Sequence, residues 1–234
     1  MTTILLLCAV ILMVAFTYKN PPTTDIDILR DITDKHLAQP DATTILPFYN
    51  LVGEEKWHGG IFRFANLSDV SYNPAFELTI DPANPWLSNQ LARDKQIQKF
   101  RDSVSTVLAD AQKETIGKEN SSLYLPIARE LNRLSGSTAQ RRILIIYSDL
   151  MENDLDFSLY GKDQLGLIQL NPDSLTKTFE EKEPLNQLTG IEVYFIYQAA
   201  DAEQDREYSI VSEFYKNMLE SKGATVHIAA NLLN

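Results

Sequence analysis

The chain has 234 residues, 44% apolar and 23% charged, which suits one α/β domain with a sizeable core and excludes global disorder. Its 32 acids against 21 bases give a net charge of −11, so a general nucleic-acid-binding face is excluded and no nucleic-acid partner is expected. The single cysteine (Cys8) and three scattered histidines (His36, His58, His227) leave no intramolecular disulfide and no zinc-like ligand spacing.

Residues Thr2 to Tyr18 are nearly all apolar and carry no charge. As a helix they would reach about 25 Å, slightly short of a ~30 Å hydrocarbon core. The expectation is a membrane anchor over residues 1–18. A secretory signal peptide competes with it but lacks the basic n-region. A lipoprotein signal ending at Cys8 is the weakest reading, because the apolar run before it is short and Leu7 is bulky. No loop carries a Lys/Arg cluster that would set orientation, and the exported side is the one expected. Residues 19–24, with Asn20-Pro-Pro-Thr-Thr24, read as a stiff extended tether, followed by an α/β domain over 25–234.

Asp25-Ile-Asp-Ile-Leu-Arg-Asp31 alternates and reads as the first strand. Thr43 to Val52 predicts a short helix interrupted by Pro47. Gly60 to Ala65 and Ala75 to Ile80 predict a hairpin, with turn residues Asp69 and Asn73-Pro74 between them. A long helix is predicted from Leu91 to Lys113, its apolar positions Ile97, Phe100, Val104 and Leu108 following a 3.6-residue period. Ser121-Ser122 predicts the cap of a helix carrying Ile127, Leu131 and Leu134 on one face. Ile143 to Asp149 predicts a buried parallel strand that delivers an acid to the carboxyl edge of a sheet. Glu152 to Leu188 reads as a long polar loop with one short helix near Leu175 to Glu181, and Glu152 as a solvated loop acid. Gly190 to Tyr197 predicts a strand, Asp205 to Lys222 an amphipathic helix stopped by Gly223, and Ala224 to Ala229 the last strand. The fold class expected from this order is a doubly wound, mostly parallel α/β sheet with one antiparallel edge strand.

This order of elements, with these strand ends, resembles the von Willebrand factor A (vWA) domain over about residues 25 to 230. Asp31-Ile-Thr33 matches the first element of that family's Asp-x-Ser-x-Ser motif, Ser121 or Ser122 matches its later threonine, and Asp149 its last aspartate. The resemblance implies a site for one Mg²⁺ or Mn²⁺ held by Asp31, Thr33, Ser121, Ser122 and Asp149, hard oxygen ligands of the type such an ion needs. It also implies a protein partner whose acidic side chain completes the metal shell. Lys35 departs from the pattern, standing where the family has its second metal-binding serine. Lysine offers no acceptor to a cation, and its ammonium would pair with Asp31 or Asp149 in place of a metal. A rival Asp-x-Ser pattern, Asp69-Val-Ser71-Tyr-Asn73, reads better as a turn.

Enzyme signatures are missing from the sequence: it holds no dinucleotide-binding glycine fingerprint, no P-loop and no nucleophile elbow. Asp25-Ile-Asp27 stands at the start of its strand, so its carboxylates would serve the wrong edge for phosphotransfer. Three functions follow as expectations: a membrane-tethered vWA-like protein-binding module; a metal-dependent hydrolase or phosphotransferase using the same acids; and a scaffold whose metal site is inactive.

Overall fold

The computed structural model describes residues 21–32, 38–67, 74–113, 122–153, 158–160 and 162–232. Strands β1 (Thr23–Asp31), β2 (Gly59–Leu67), β3 (Ala75–Ile80), β4 (Arg141–Tyr147), β5 (Ile191–Ile196) and β6 (Thr225–Ala229) form one sheet in the order β3-β2-β1-β4-β5-β6. All neighbours pair in parallel except β2 and β3, so the antiparallel strand is the edge strand β3. The helices are α1 (Ala42–Ile45), α2 (Gln90–Ala111), α3 (Tyr124–Gly136), α4 (Lys162–Leu170), α5 (Pro172–Lys182) and α6 (Ala202–Ser221). The fold is the expected doubly wound, mostly parallel α/β class with one antiparallel edge strand.

Alternation along β4 shows how the two layers arise. Ile143, Ile145 and Tyr147 face a core built with Ile97, Phe100, Val104 and Leu108 of α2. Leu144 and Ile146 face the opposite core, built with Ile127, Leu131 and Leu134 of α3 and Val211, Tyr215 and Met218 of α6. Both faces of a central parallel strand are covered by helices, so Ile143 to Tyr147 form an apolar run without interruption. Full burial of each such side chain is worth about 1.5–3 kcal/mol relative to exposure.

Three local readings of the sequence are corrected. The helix expected over Thr43 to Val52 is a single α-turn followed by two 3₁₀ turns, Leu46–Tyr49 and Gly53–Trp57. Pro47 sits at the start of the first 3₁₀ turn, and Asn50 takes a left-handed backbone that ends it. The loop expected between Glu152 and Leu188 contains two helices, α4 and α5. Asn171 separates them by capping α5 through its side chain, with Pro172 at the first helical position. Thr23 and Thr24 belong to β1 and not to the tether.

Helix α2 is fastened at its amino end by Arg93, which is buried. Its guanidinium donates to the carbonyl oxygens of Lys56 (2.7 Å), Asp81 (2.8 Å) and His58. One side chain thus ties the helix to the start of β2 and the end of β3. Gly59 lies at the same corner. A Cβ there would come within 2.6 Å of Thr23 Oγ1 and 2.8 Å of Pro82 Cδ, so the close approach of three segments requires glycine.

The polar half of β1 is buried as deeply as its apolar half. Asp25 and Asp27 are 0% and 1% exposed, and both meet Arg133 in the last turn of α3. Arg133 donates to Asp25 at 2.8 and 3.1 Å and to Asp27 at 2.5 and 3.1 Å. Ser137 Oγ adds a bond to Asp25 at 2.7 Å. The network extends outward through Glu130, which accepts from Arg133 and from Arg63 of β2. Burial would lower the Arg133 guanidinium, but hydrogen bonds and charge from Asp25 and Asp27 hold it raised. Two buried carboxylates share this guanidinium. Burial accordingly pushes the Asp27 carboxyl well above the usual range, against the pull of Arg133.

Two outcomes follow from this cluster. Arg133→Met strands two buried carboxylates and is expected to cost about 3–5 kcal/mol in urea unfolding at neutral pH. Because Asp27 has a folded-state pKa above its unfolded value, its stabilising contribution is complete below the ordinary carboxylate pKa of about 4 and is lost as pH rises through the raised folded value. Asp27→Asn, already neutral, should lack the gain in stability that the wild type shows on acidification toward that range. Parallel stability–pH curves for the two proteins would rule out this assignment.

Candidate functional site

Strands β1 and β4 are neighbours, but the chain leaves β1 toward β2 and leaves β4 toward β5, on opposite sides. Their carboxyl ends therefore open a crevice at the topological switch point, where open α/β sheets bind ligands. Asp31 is the last residue of β1 and is buried. β4 stops at Tyr147, two residues short of the end at Asp149 that its apolar run predicts.

The cause is local hydrogen bonding. Ser148 Oγ accepts from the Leu150 N–H at 2.9 Å, and Asp149 Oδ1 accepts from the Met151 N–H at 2.9 Å. Two side-chain-closed turns in succession replace the ladder. Between them Leu150 takes φ +63° with its side chain fully buried. A non-glycine residue in this region costs on the order of 1–3 kcal/mol, which the surrounding packing must hold in place.

The turn brings the two strand ends together. Ser148 Oγ lies 3.2 Å from Asp31 Oδ2 as a donor, joining the β4 end to the β1 end. Asp149 is buried, and its Oδ2 accepts from the Tyr160 hydroxyl at 3.2 Å. Tyr208 of α6 is a second aromatic alcohol near Asp149. Burial pushes its phenol up, and the negative charge of Asp149 adds to the shift, so the hydroxyl stays protonated. Its ring packs on Tyr197 with centroids 4.8 Å apart, and its hydroxyl has no hydrogen-bond partner among the described residues.

Glu152 is fully buried, not solvated as its polar surroundings in the sequence suggested. Its Oε2 accepts from the backbone N–H groups of Leu123 and Tyr124, both at 2.8 Å, and its Oε1 accepts from Ser122 Oγ at 3.2 Å. It therefore caps α3, the role that the sequence assigned to Ser121-Ser122. The residue at the N-cap is Leu123, which makes no side-chain capping bond. Ser122 is instead held as a buried donor to Glu152. A carboxylate suits this place because the helix N-terminus presents unpaired N–H groups and a partial positive charge.

Of the five residues expected to hold a cation, Asp31, Ser122 and Asp149 lie at this edge, while Thr33 and Ser121 lie outside the described residues, as do Lys35, the rival Asp69–Asn73 segment and the apolar run Thr2–Tyr18. Carboxylate and hydroxyl oxygens are hard donors of the type a Mg²⁺ or Mn²⁺ ion takes. Among the described residues no three carboxylate, imidazole or thiolate groups are gathered to hold an ion. A cation here would need hydroxyl oxygens as ligands, as the Asp/Thr/Ser donor set provides. The sequence does not single out Ser148, Tyr160 or Tyr208 as site residues, and Glu152 reads there as a solvated loop acid. Glu152 acts on residues 28 to 30 positions away, and no spacing rule links them.

No family model matches the chain, and comparison with curated proteins gives no match. Among solved structures, the chain is similar to an aerotolerance-related membrane protein from Bacteroides fragilis carrying multiple mutations to serine. That likeness covers 88% of this chain and 92% of the other at 12% identity, with a TM-score of 0.39.

Glu152→Ala leaves two buried helix N–H groups without an acceptor. It is expected to cost about 2–4 kcal/mol in urea unfolding, at about 1–3 per unsatisfied group with partial relief from relaxation. Hydrogen exchange at the Leu123 and Tyr124 amides should accelerate beyond the global change. Protection unchanged at those two amides would show that Glu152 does not cap α3.

Proposed function

We propose that this chain is a membrane-tethered vWA-like module that binds another protein at the carboxyl edge of its sheet in a Mg²⁺- or Mn²⁺-dependent manner. The observation that carries the reading is the bond between Asp31 and Ser148, with Asp149 next in sequence, at the β1/β4 switch point. Asp31 and Asp149 would supply carboxylate oxygens and Thr33, Ser121 and Ser122 hydroxyl oxygens, all hard ligands. A bound ion would leave an open position for an acidic side chain of the partner. The tether is supported by the uncharged run Thr2–Tyr18. No described helix is long and apolar enough to cross a membrane, so the anchor rests on that run alone. The sequence holds no enzyme motif, and no residue is assigned a catalytic role; the hydrolase or phosphotransferase reading rests on the four-residue spacing of Asp31 and Lys35 alone.

A second reading, a scaffold without a metal, is favoured by one observation. The oxygens of Asp31 and Asp149 already accept bonds from Ser148, Met151 and Tyr160 inside the fold. Lys35 would then neutralise the acids.

Calorimetric titration of the full chain in detergent with Mg²⁺ and with Mn²⁺ separates the two. The metal-dependent reading expects saturable binding by the wild type that Asp149→Ala abolishes. An inert wild type would reject it. The scaffold reading expects Lys35→Ser to create binding that the wild type lacks. A Lys35→Ser protein as inert as the wild type would show that Lys35 is not the reason.

A further inference from the structure

The amino edge of the sheet, opposite the candidate site, carries an apolar cluster that no described element covers. Trp86 is 88% exposed, Leu87 86% and Leu91 65%. Such a group of large apolar side chains marks an interaction surface more often than isolated exposed residues do. The segment that displays it is firmly built. The Trp86 N–H donates to Asn84 Oδ1 at 2.8 Å, and the Leu87 and Ser88 N–H groups donate to the Asn84 carbonyl at 3.2 and 2.9 Å. Asn89 then caps α2, which places Leu87 and Leu91 four residues apart across the helix start. Arg93, one turn on, is the buried residue that ties this corner to the sheet.

The location says what could cover the cluster. Pro82 meets Gly59 beside Thr23, the first residue of β1. Trp86 is four residues beyond Pro82, within about 14 Å of it at ~3.5 Å per residue. The uncharged run Thr2–Tyr18 ends five residues before Thr23, at most about 18 Å of chain away. The exposed cluster therefore lies at the edge where the chain enters the domain, and the chain length to the apolar run is short enough for the two to meet.

We propose that Trp86, Leu87 and Leu91 form a membrane-contact surface that seats in the interfacial layer of a lipid bilayer beside the N-terminal anchor. The proposal rests on the tethered reading given above and adds a second point of contact to it. A tryptophan ring suits the headgroup level, and the two leucines suit the acyl boundary beneath it. Charge near the cluster gives no electrostatic attraction: Glu54, Glu55, Asp81 and Asp94 stand against Lys56, Arg93 and Lys95. The contact is therefore apolar in origin. It should form on zwitterionic lipid and weaken little with salt.

The chain has two tryptophans, Trp57 and Trp86, which makes the test direct. The full-length protein is reconstituted into phosphatidylcholine vesicles with bromine near the headgroup end of the acyl chains. Its tryptophan quenching is compared with that of Trp57→Phe and of Trp86→Phe. Its one cysteine, Cys8, is labelled with an environment-sensitive fluorophore to report insertion of the apolar run. The expected result is a severalfold stronger quenching of Trp86 than of Trp57, lost when Leu87 and Leu91 are both changed to serine. If Trp57→Phe disturbs folding, the difference between wild type and Trp86→Phe gives the same quantity. Insertion at Cys8 with Trp86 unquenched and open to aqueous acrylamide would overturn the contact and leave the tether standing. Trp86 shielded from acrylamide yet unquenched by bromolipid would assign the surface to a protein, and would overturn the contact equally. A Cys8 probe that stays in water would overturn tether and contact together.

Discussion

The fold depends on the burial of charge along one central strand. β1 is flanked by β2 and β4 and covered on both faces, yet four of its nine residues (Asp25, Asp27, Arg30 and Asp31) are ionisable and buried. Each must be met by a partner, because an uncompensated charge in such a place costs several kcal/mol. Arg133 meets Asp25 and Asp27. Ser148 meets Asp31. Arg30, on the other face, donates to Gln39 at 2.6 Å and to the carbonyl of Ala111 at 2.7 Å. That carbonyl belongs to the last turn of α2, where the helix dipole favours a cation. The strand thus meets the last turns of α2 and α3, one on each face.

Helix α3 is held by the same logic at both of its ends. A carboxylate, Glu152, accepts from its first N–H groups, and a cation, Arg133, sits in its last turn against the acids of β1. Both arrangements agree with the helix dipole. The amino end of α3 carries Ser122 to the carboxyl edge, and the turn that delivers Asp149 also delivers Glu152. Asp149, Ser122 and the start of α3 are consequently positioned by one five-residue stretch, Ser148 to Glu152. That stretch tolerates a left-handed Leu150 because bonds from Leu150, Met151 and Leu159 leave it little freedom.

Much of this was legible in the sequence, for definable reasons. β3 matches its expected span, and α2 and α6 lie within three residues of theirs at either end, because period-2 and period-3.6 patterns report burial directly. The polar run from Glu152 to Leu188 misled, since α4 and α5 are short and bury only a few residues each, among them Leu165, Ile168, Leu175 and Phe179. Alternation in β1 marks a strand but not what fills its polar face. That face is filled by a salt-bridged cluster, and only contact between residues 25 and 133 reveals it. The same limit applies at the site. Asp149 announces itself by ending an apolar run, whereas Glu152 looks like any loop acid until α3 is placed beside it.

A parallel sheet gives its two edges different work. At about 3.3 Å per residue, the nine residues of β1 separate the edges by roughly 30 Å. The amino edge holds the point where the chain enters the domain, the Arg93 corner and the exposed Trp86 turn. The carboxyl edge holds Asp31, Ser148, Asp149 and the turn that supports them. If the amino edge faces a bilayer, parallel pairing alone directs the carboxyl edge away from it, at a distance that no tether length needs to set. The burial of Asp25 and Asp27 near one end of β1 and of Asp31 at the other then serves a single geometry. The first pair fixes α3 against the sheet, and α3 in turn presents Ser122 at the edge that faces outward.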